Sequence, residues 1–261
     1  MIDGYGLVLA GGGGNGAFEL GVWSILRQKP RYNIAAVSGA SVGALNAVLF
    51  AGNNYDMAAD IWQNVTDESI KRPFPTFAER LKNADMHGGI WSNKGIEEII
   101  HRNGFISGVQ GANIPCAVVC TLNSENAMET AKNFIFYSDK VRYFTLNGLP
   151  ADKIADILLA STAILHGFPQ IKIDGVYMRD GDNIGRGDCM PVKPLYDMGL
   201  RKFIVVHLDN YKKMRFAPDD AKYIHIFPPR EMDNPLTILD FSHKSILRRI
   251  EYGRKAAEKA L

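Results

Sequence analysis

Apolar residues fall along the chain in short blocks whose spacing switches between the periods of strand and helix. Tyr5 to Ala10 is a continuous apolar run, too short for a helix, and predicts a buried strand. Beyond a glycine cluster, Phe18, Val22 and Ile25/Leu26 recur at helical spacing. Ile34 to Val37 predicts a second buried strand. Val42 to Phe50, rich in Ala and Leu, predicts a helix that ends near Gly52. The order strand, loop, helix, strand, turn, helix predicts a parallel sheet covered by helices.

Asn53 to Gly104 reads as mostly helical and loop-like, broken by Pro73 and Pro75, an insertion beside the sheet. Cys116 to Leu122 and Asn133 to Tyr137 predict further strands, and Asp152 to Ala163 a helix. Lys172 to Asp180 holds two short strands around Asp174-Gly175, a hairpin signal. Phe203 to Leu208 and Tyr223 to Phe227 predict late strands, and Ser242 to Leu261 a C-terminal helix. The expected architecture is α/β, with three layers: a mostly parallel central sheet, helices on both faces and a helical insertion or lid. One domain over residues 1–261 is expected.

Composition narrows the partners. With 261 residues, 46% hydrophobic and 22% charged, the chain can bury a sizeable core. A net charge of +2 without a basic stripe gives no nucleic-acid footprint. No apolar run reaches the ~18 residues of a membrane span. Asp3 and Gly4 stand where a secretory leader would be basic, and Cys116, Cys120 and Cys189 form an odd, sparse set, so a cytoplasmic chain with reduced thiols is expected. Cys116 and Cys120 share one face of their strand and are expected to be small buried hydrophobes.

Gly11 to Gly16 (GGGGNG) lies between the first strand and the first helix. Such a loop lets backbone N–H groups face an anion, which the following helix dipole also favours. The anion could be a phosphate or the oxyanion of an acyl transfer. A dinucleotide fingerprint matches from Gly11 through Gly13 to Gly16, but Ala35, Ala36, Val37 and Ser38 offer no carboxylate after the next strand. A P-loop needs Lys-Ser/Thr where Ala17-Phe18 stand.

Gly39-Ala40-Ser41-Val42-Gly43 is G-x-S-x-G at a strand-to-helix junction. The turn must be sharp to lift a serine hydroxyl above the sheet, so Gly39 and Gly43 flank it, and the Val42 N–H faces the same point. The hydroxyl needs a base. Of the six histidines, which also include His87 and His101, His207 and His225 fall inside strand patterns and His243 opens a helix; His166, in a loop, is the one weighed for a Ser-His-Asp arrangement. Asp180-Gly181, at a strand end, is the competing base, whereas Asp174-Gly175 reads as the hairpin turn.

Together these residues resemble the patatin-like phospholipase family. Its glycine loop, G-x-S-x-G elbow and distant DG[GA] aspartate correspond to Gly11–Gly16, Gly39–Gly43 and Asp180-Gly181-Asp182. Ala160 to Ala163 with Phe168-Pro169, and the stretch from Asp240 to Ala257, also resemble the family. The resemblance implies a Ser41–Asp180 dyad without histidine, an oxyanion hole from Gly11, Gly12, Gly13 and Gly14, and an acyl-enzyme on Ser41. It implies no metal and no cofactor, and a lipid ester as substrate; whether the chain also makes transient contact with a membrane surface is left open by the sequence. Two departures stand out. Asn15 replaces a residue that is often Arg or Lys, so a charge is missing from the loop. Asp182 replaces Gly or Ala, and Asn183 to Met190 is longer than usual before Pro191.

Other readings are a Ser-His-Asp esterase through His166 and an inactive binding module with Asp182 as the mark of decay. The last helix carries Lys244, Arg248, Arg249, Arg254, Lys255 and Lys259 against Ile246, Leu247 and Ile250. A docked helix with a solvated basic face is expected over an interfacial one. Ile70 to Trp91 is the lid segment or a packed helical cap.

Overall fold

A computed structural model describes residues 2–82, 87–123, 141–182 and 187–261. The expected strand at 133–137 and positions 183–186 of the long segment after Asp182 lie outside the described residues. The strands are β1 (Tyr5–Leu9), β2 (Ile34–Ala40), β3 (Cys116–Asn123), β4 (Val141–Thr145), β5 (Ile171–Ile173), β6 (Val176–Arg179), β7 (Lys202–Val206) and β8 (Lys222–Ile226). Among the described residues they form one sheet, in the order β5-β6-β3-β2-β1-β7-β8, with β4 also paired to β3.

The run β3-β2-β1-β7-β8 is parallel throughout. β4 and β6 both run antiparallel to β3, over Ala117–Thr121 and Thr121–Asn123 respectively. The sheet is therefore mixed but mostly parallel, and helices flank it. Its central strands are apolar without alternation because both faces are covered: Leu7, Val8 and Leu9 of β1 and Phe203 to Val206 of β7 are all buried. The β5–β6 hairpin turns at Asp174 (φ 50°) and Gly175 (φ 82°), a type I′ pair that suits Asp-Gly.

The helices are α1 (Ala17–Leu26), α2 (Val42–Ala51), α3 (Tyr55–Asn64), α4 (Asp67–Ile70), α5 (Phe77–Lys82), α6 (Lys94–Ile100), α7 (Phe105–Gln110), α8 (Ala151–Ser161), α9 (Val192–Asp197) and α10 (His243–Ala260). The insertion after α2 is helical as expected. Thr66 opens α4 with a reciprocal capping box to Ser69. Among the described residues no helix is long and apolar enough to cross a membrane.

Helix α10 is docked on the body of the protein. It crosses α1 so closely that a Cβ at Gly21 would meet the Ile250 carbonyl, and one at Gly253 the Phe18 carbonyl. Lys244, Arg248, Arg254, Lys255 and Lys259 are solvated, as expected. Arg249 is not part of that face. It is 1% exposed, because its position on the helix turns inward together with Ile246, Gly253 and Ala257.

Candidate active site

Strand register brings the distant motifs together. Ala40 pairs with Val119, and Arg179 pairs with Thr121 from the opposite direction. The residues that follow, Ser41 and Asp180, therefore arrive at the same end of the sheet. Ser41 Oγ donates to Asp180 Oδ2 at 2.6 Å, and both side chains are buried. No histidine stands between them. His166 is exposed, has φ 61°, and its backbone carbonyl accepts the Ile90 N–H.

Ser41 has φ 52° and ψ −125°, a backbone conformation unfavourable for a residue with a side chain. The turn is held by close backbone approach on both sides. A Cβ at Gly39 would collide with the Gly43 carbonyl, and one at Gly43 with the carbonyls of Leu9 and Ala10. The end of α8 fixes both partners. Ser161 Oγ accepts the Ser41 N–H at 3.1 Å while donating to Val119 O at 2.8 Å. Beside it, Ala163 O accepts the Asp180 N–H and Ser161 O the Gly181 N–H.

The glycine loop closes the other side as a 3-10 helix, Gly13–Gly16, that runs into α1. Its four glycines are not equivalent. The Gly11 N–H is donated to Cys189 O at 3.1 Å, so Gly11 is no free donor toward an oxyanion. Gly13 and Gly14 open the 3-10 helix, where N–H groups have no partner within the helix. Gly13 also needs its left-handed φ of 52°, and a Cβ there would strike Ile238 O. Asn15 is an internal tether rather than an empty charged position. Its buried Nδ2 donates to Leu208 O (3.4 Å), Met232 O (3.3 Å) and Thr237 Oγ1 (3.2 Å).

An apolar pocket of about 60 Å³ opens from Ser41 and Gly13. Leu45 of α2, Ile70 after the start of the insertion, and Ile96 and Ile99 of α6 form much of its wall. Leu239 and Phe241, ahead of α10, complete it, and Lys71 is its charged lining residue. The inserted helices are thus pocket wall. None of these residues carries a motif; the apolar spacing of α6 was the available signal.

Burial pushes the Asp180 carboxyl up to about 7, and the neighbouring Asp182 carboxylate pushes the same way. Hydrogen bonds from Ser41 and from the Asp182 N–H, and the Lys212 ammonium, oppose this. Asp182 is paired: its Oδ2 accepts from Lys212 Nζ. Asp188, fully buried, accepts from Tyr143 Oη at 2.7 Å, and burial raises its carboxyl to about 6. Cys116 and Cys120 are buried free thiols, pushed far up by burial. Among the described residues no group of three or more His, Cys, Asp or Glu could hold a metal ion. His207, just after β7, and His225 of β8 sit side by side, Nε2 to Nδ1 2.8 Å, and their bond is to each other rather than to Ser41 or Asp180.

A serine raised on a strained strand-to-helix turn, against a glycine-rich loop on a mostly parallel sheet flanked by helices, makes the chain an α/β protein with a nucleophile-elbow type of turn. More narrowly, it belongs to the patatin-like phospholipase family, whose model matches residues 7–183. No curated protein sequence matches the chain. Among solved structures it resembles VipD from Legionella pneumophila, with 15% identity and a TM-score of 0.51, over 99% of this chain and 67% of that one. It also matches the complex of SpcU with ExoU from the type III secretion system of Pseudomonas aeruginosa, with 16% identity and a TM-score of 0.41, over 99% and 53%. The first likeness speaks for the fold alone. The chain spans about two thirds of the first of these proteins and about half of the second.

Proposed function

We propose that the protein is a serine lipid acyl hydrolase that cleaves carboxylic ester bonds of phospholipids, lysophospholipids or acylglycerols. The observation that carries this reading is the direct 2.6 Å hydrogen bond to the buried Asp180 carboxylate from Ser41 Oγ, whose residue lines an apolar pocket. Asp180 takes the Ser41 proton as Oγ attacks the ester carbonyl. The N–H groups of Gly12, Gly13 and Gly14, with that of Val42, face the developing oxyanion. Asp180 then gives the proton to the leaving alcohol. Water attacks the acyl-enzyme, loses its proton to Asp180, and the proton returns to Ser41 Oγ as the fatty acid departs.

The pocket suits the acyl chain, since its wall is apolar and Ser41 lines it. Exposed Phe77, Leu81, Ile90 and Leu236 support transient contact with a lipid surface, because they lie on the segments that supply the pocket wall or adjoin it. Product analysis by mass spectrometry on a mixed lipid panel tests the reading. The wild type should release free fatty acid, and Ser41→Ala should lose nearly all of it while keeping the fold. Turnover retained by a folded Ser41→Ala protein would overturn the reading, and so would a folded wild type that neither reacts with a fluorophosphonate nor hydrolyses any ester.

A further inference from the structure

Asp182 stands two residues after Asp180, where the family pattern has a residue without charge. In the structure it packs on the glycine loop: a Cβ at Gly11 would lie 2.7 Å from its Cβ. Its backbone N–H donates to Asp180 Oδ1 at 2.7 Å, the oxygen that Ser41 does not use. Its carboxylate is 14% exposed and meets Lys212 Nζ, itself 16% exposed. Lys212 comes from the loop after β7, remote in sequence. It is presented by a turn in which Asp209 Oδ1 accepts the N–H groups of Tyr211 (3.2 Å) and Lys212 (2.8 Å). Asp209 Oδ2 lies 3.4 Å from Lys212 Nζ on the other side.

These contacts form a continuous path: Lys212 ammonium, Asp182 carboxylate, Asp182 N–H, Asp180 carboxylate, Ser41 hydroxyl. A buried carboxylate left alone beside Asp180 would disfavour its ionised form and would be costly in itself. We propose that Lys212 is a positioning residue that holds the Asp182 turn against Asp180 and offsets the second carboxylate beside it. The inference rests on the Ser41–Asp180 reading above. It explains how this chain carries a charge at the third position of its DG motif and keeps the site intact.

Among the described residues, the groups that face Asp180 are few. Asp182 lies on its own segment, Ser41 on the elbow, Ser161 at the end of α8, Lys212 on the loop after β7, and the neutral Cys120 thiol on β3. Asp209 and the Cys189 thiol, whose Sγ is 3.6 Å from Gly11 O, complete the surroundings of Lys212. Lys212 and Asp182 thus act on Asp180 with opposite sign, and removing each should move the proton equilibrium of Asp180 in opposite directions.

The test is the pH profile of kcat/KM for ester hydrolysis in wild type, Asp182→Asn, Lys212→Met, Lys212→Arg and the double variant Asp182→Asn/Lys212→Met. Asp182→Asn should move the acid limb to lower pH. Lys212→Met should move it up by about one unit, so that activity at pH 6 falls by ~10-fold while activity at pH 8.5 changes little. The double variant should return close to wild type, and Lys212→Arg should restore the wild-type limb. Lys212→Met leaves two buried carboxylates and could fail to fold; Asp182→Asn and the double variant then carry the test. An acid limb unmoved in folded Asp182→Asn, or displaced in the same direction in both single variants, overturns the proposal. Ser41→Ala separates the two levels. Wild-type turnover that survives this substitution overturns the underlying reading, whereas turnover lost with the limb unmoved in Asp182→Asn overturns only the role of Lys212.

Discussion

Ser41 and Asp180 lie far apart in sequence, yet each was legible because its neighbours are constrained. A G-x-S-x-G turn tolerates only small flanks, and here the flanks face backbone carbonyls directly. Asp180 was legible as an Asp-Gly at a strand end. Lys212 and Arg249 were not, because a lysine in a polar loop and an arginine on a basic helix look like solvated charges until tertiary packing buries them. The unequal roles of the four loop glycines were equally hidden, since they depend on where Cys189 O and Ile238 O sit. Asp180 also allows a prediction about stability. Its carboxyl titrates near 7 folded against 3.8 unperturbed, with burial as the main cause. Stability from its bound proton is full below about pH 3.8 and is lost as pH rises through about 7. Asp180→Asn keeps the shape and never ionises. It should lower kcat/KM by ~10² or more, yet unfold at a higher temperature than wild type at pH 8, by several degrees. The gap should close toward pH 4. Thermal melts of both proteins across that range check it, and equal melting temperatures at pH 8 would contradict the account.

At the scale of elements, long apolar runs gave the central strands and the alternating order gave their parallel pairing. Short elements escaped. β4 was not assigned because its alternation in Val141–Thr145 covers only five residues. α9 escaped because Pro191 and Pro194 argue against a helix; they fall at its N-cap and first turn, where proline is tolerated. α7 follows Gly104 at φ 92° and spans six residues, too few for a period to register. The inserted helices were recognised as helices, but their part in the pocket depends on packing. That part is testable through Leu45, which lies one helical turn beyond Ser41, is half-buried and lines the pocket. Leu45→Trp would fill much of a space of about 60 Å³ while leaving Ser41 and Asp180 in place. Hydrolysis of a long-chain p-nitrophenyl ester should drop by roughly 10-fold or more, about the range a few methylenes command in an apolar pocket. Hydrolysis of the acetate ester should fall far less. Equal losses on both esters would mean that the acyl chain lies elsewhere.

For the whole molecule, the family match ends at residue 183, but the site does not. Leu239 and Phe241 line the pocket, and the 3-10 helix Pro235–Leu239 with Asp240 is pressed onto Gly13 and Gly14. Arg249 of α10 holds that strap in place from beneath. Its Nη1 donates to Asp240 O at 2.5 Å and its Nη2 to Thr237 O at 2.9 Å, with Asp240 Oδ2 3.4 Å away. The docked terminal helix therefore reaches the site through one buried cation. Arg249→Met keeps the apolar stem and removes the guanidinium. It leaves two partly buried carbonyls without their donor, and each such loss costs up to about 1–3 kcal/mol. The fold should be destabilised by roughly 2–4 kcal/mol, read from the urea midpoint at unchanged m-value. The strap should loosen as well. KM for long-chain esters should then rise more than kcat falls, because the pocket wall is disturbed while Ser41 and Asp180 keep their own anchors on α8. Arg248→Met, one position earlier on the solvated face, provides the control and should leave both quantities unchanged. If Arg249→Met matched Arg248→Met in urea midpoint and in KM, the C-terminal helix would be packing mass and not a support of the site.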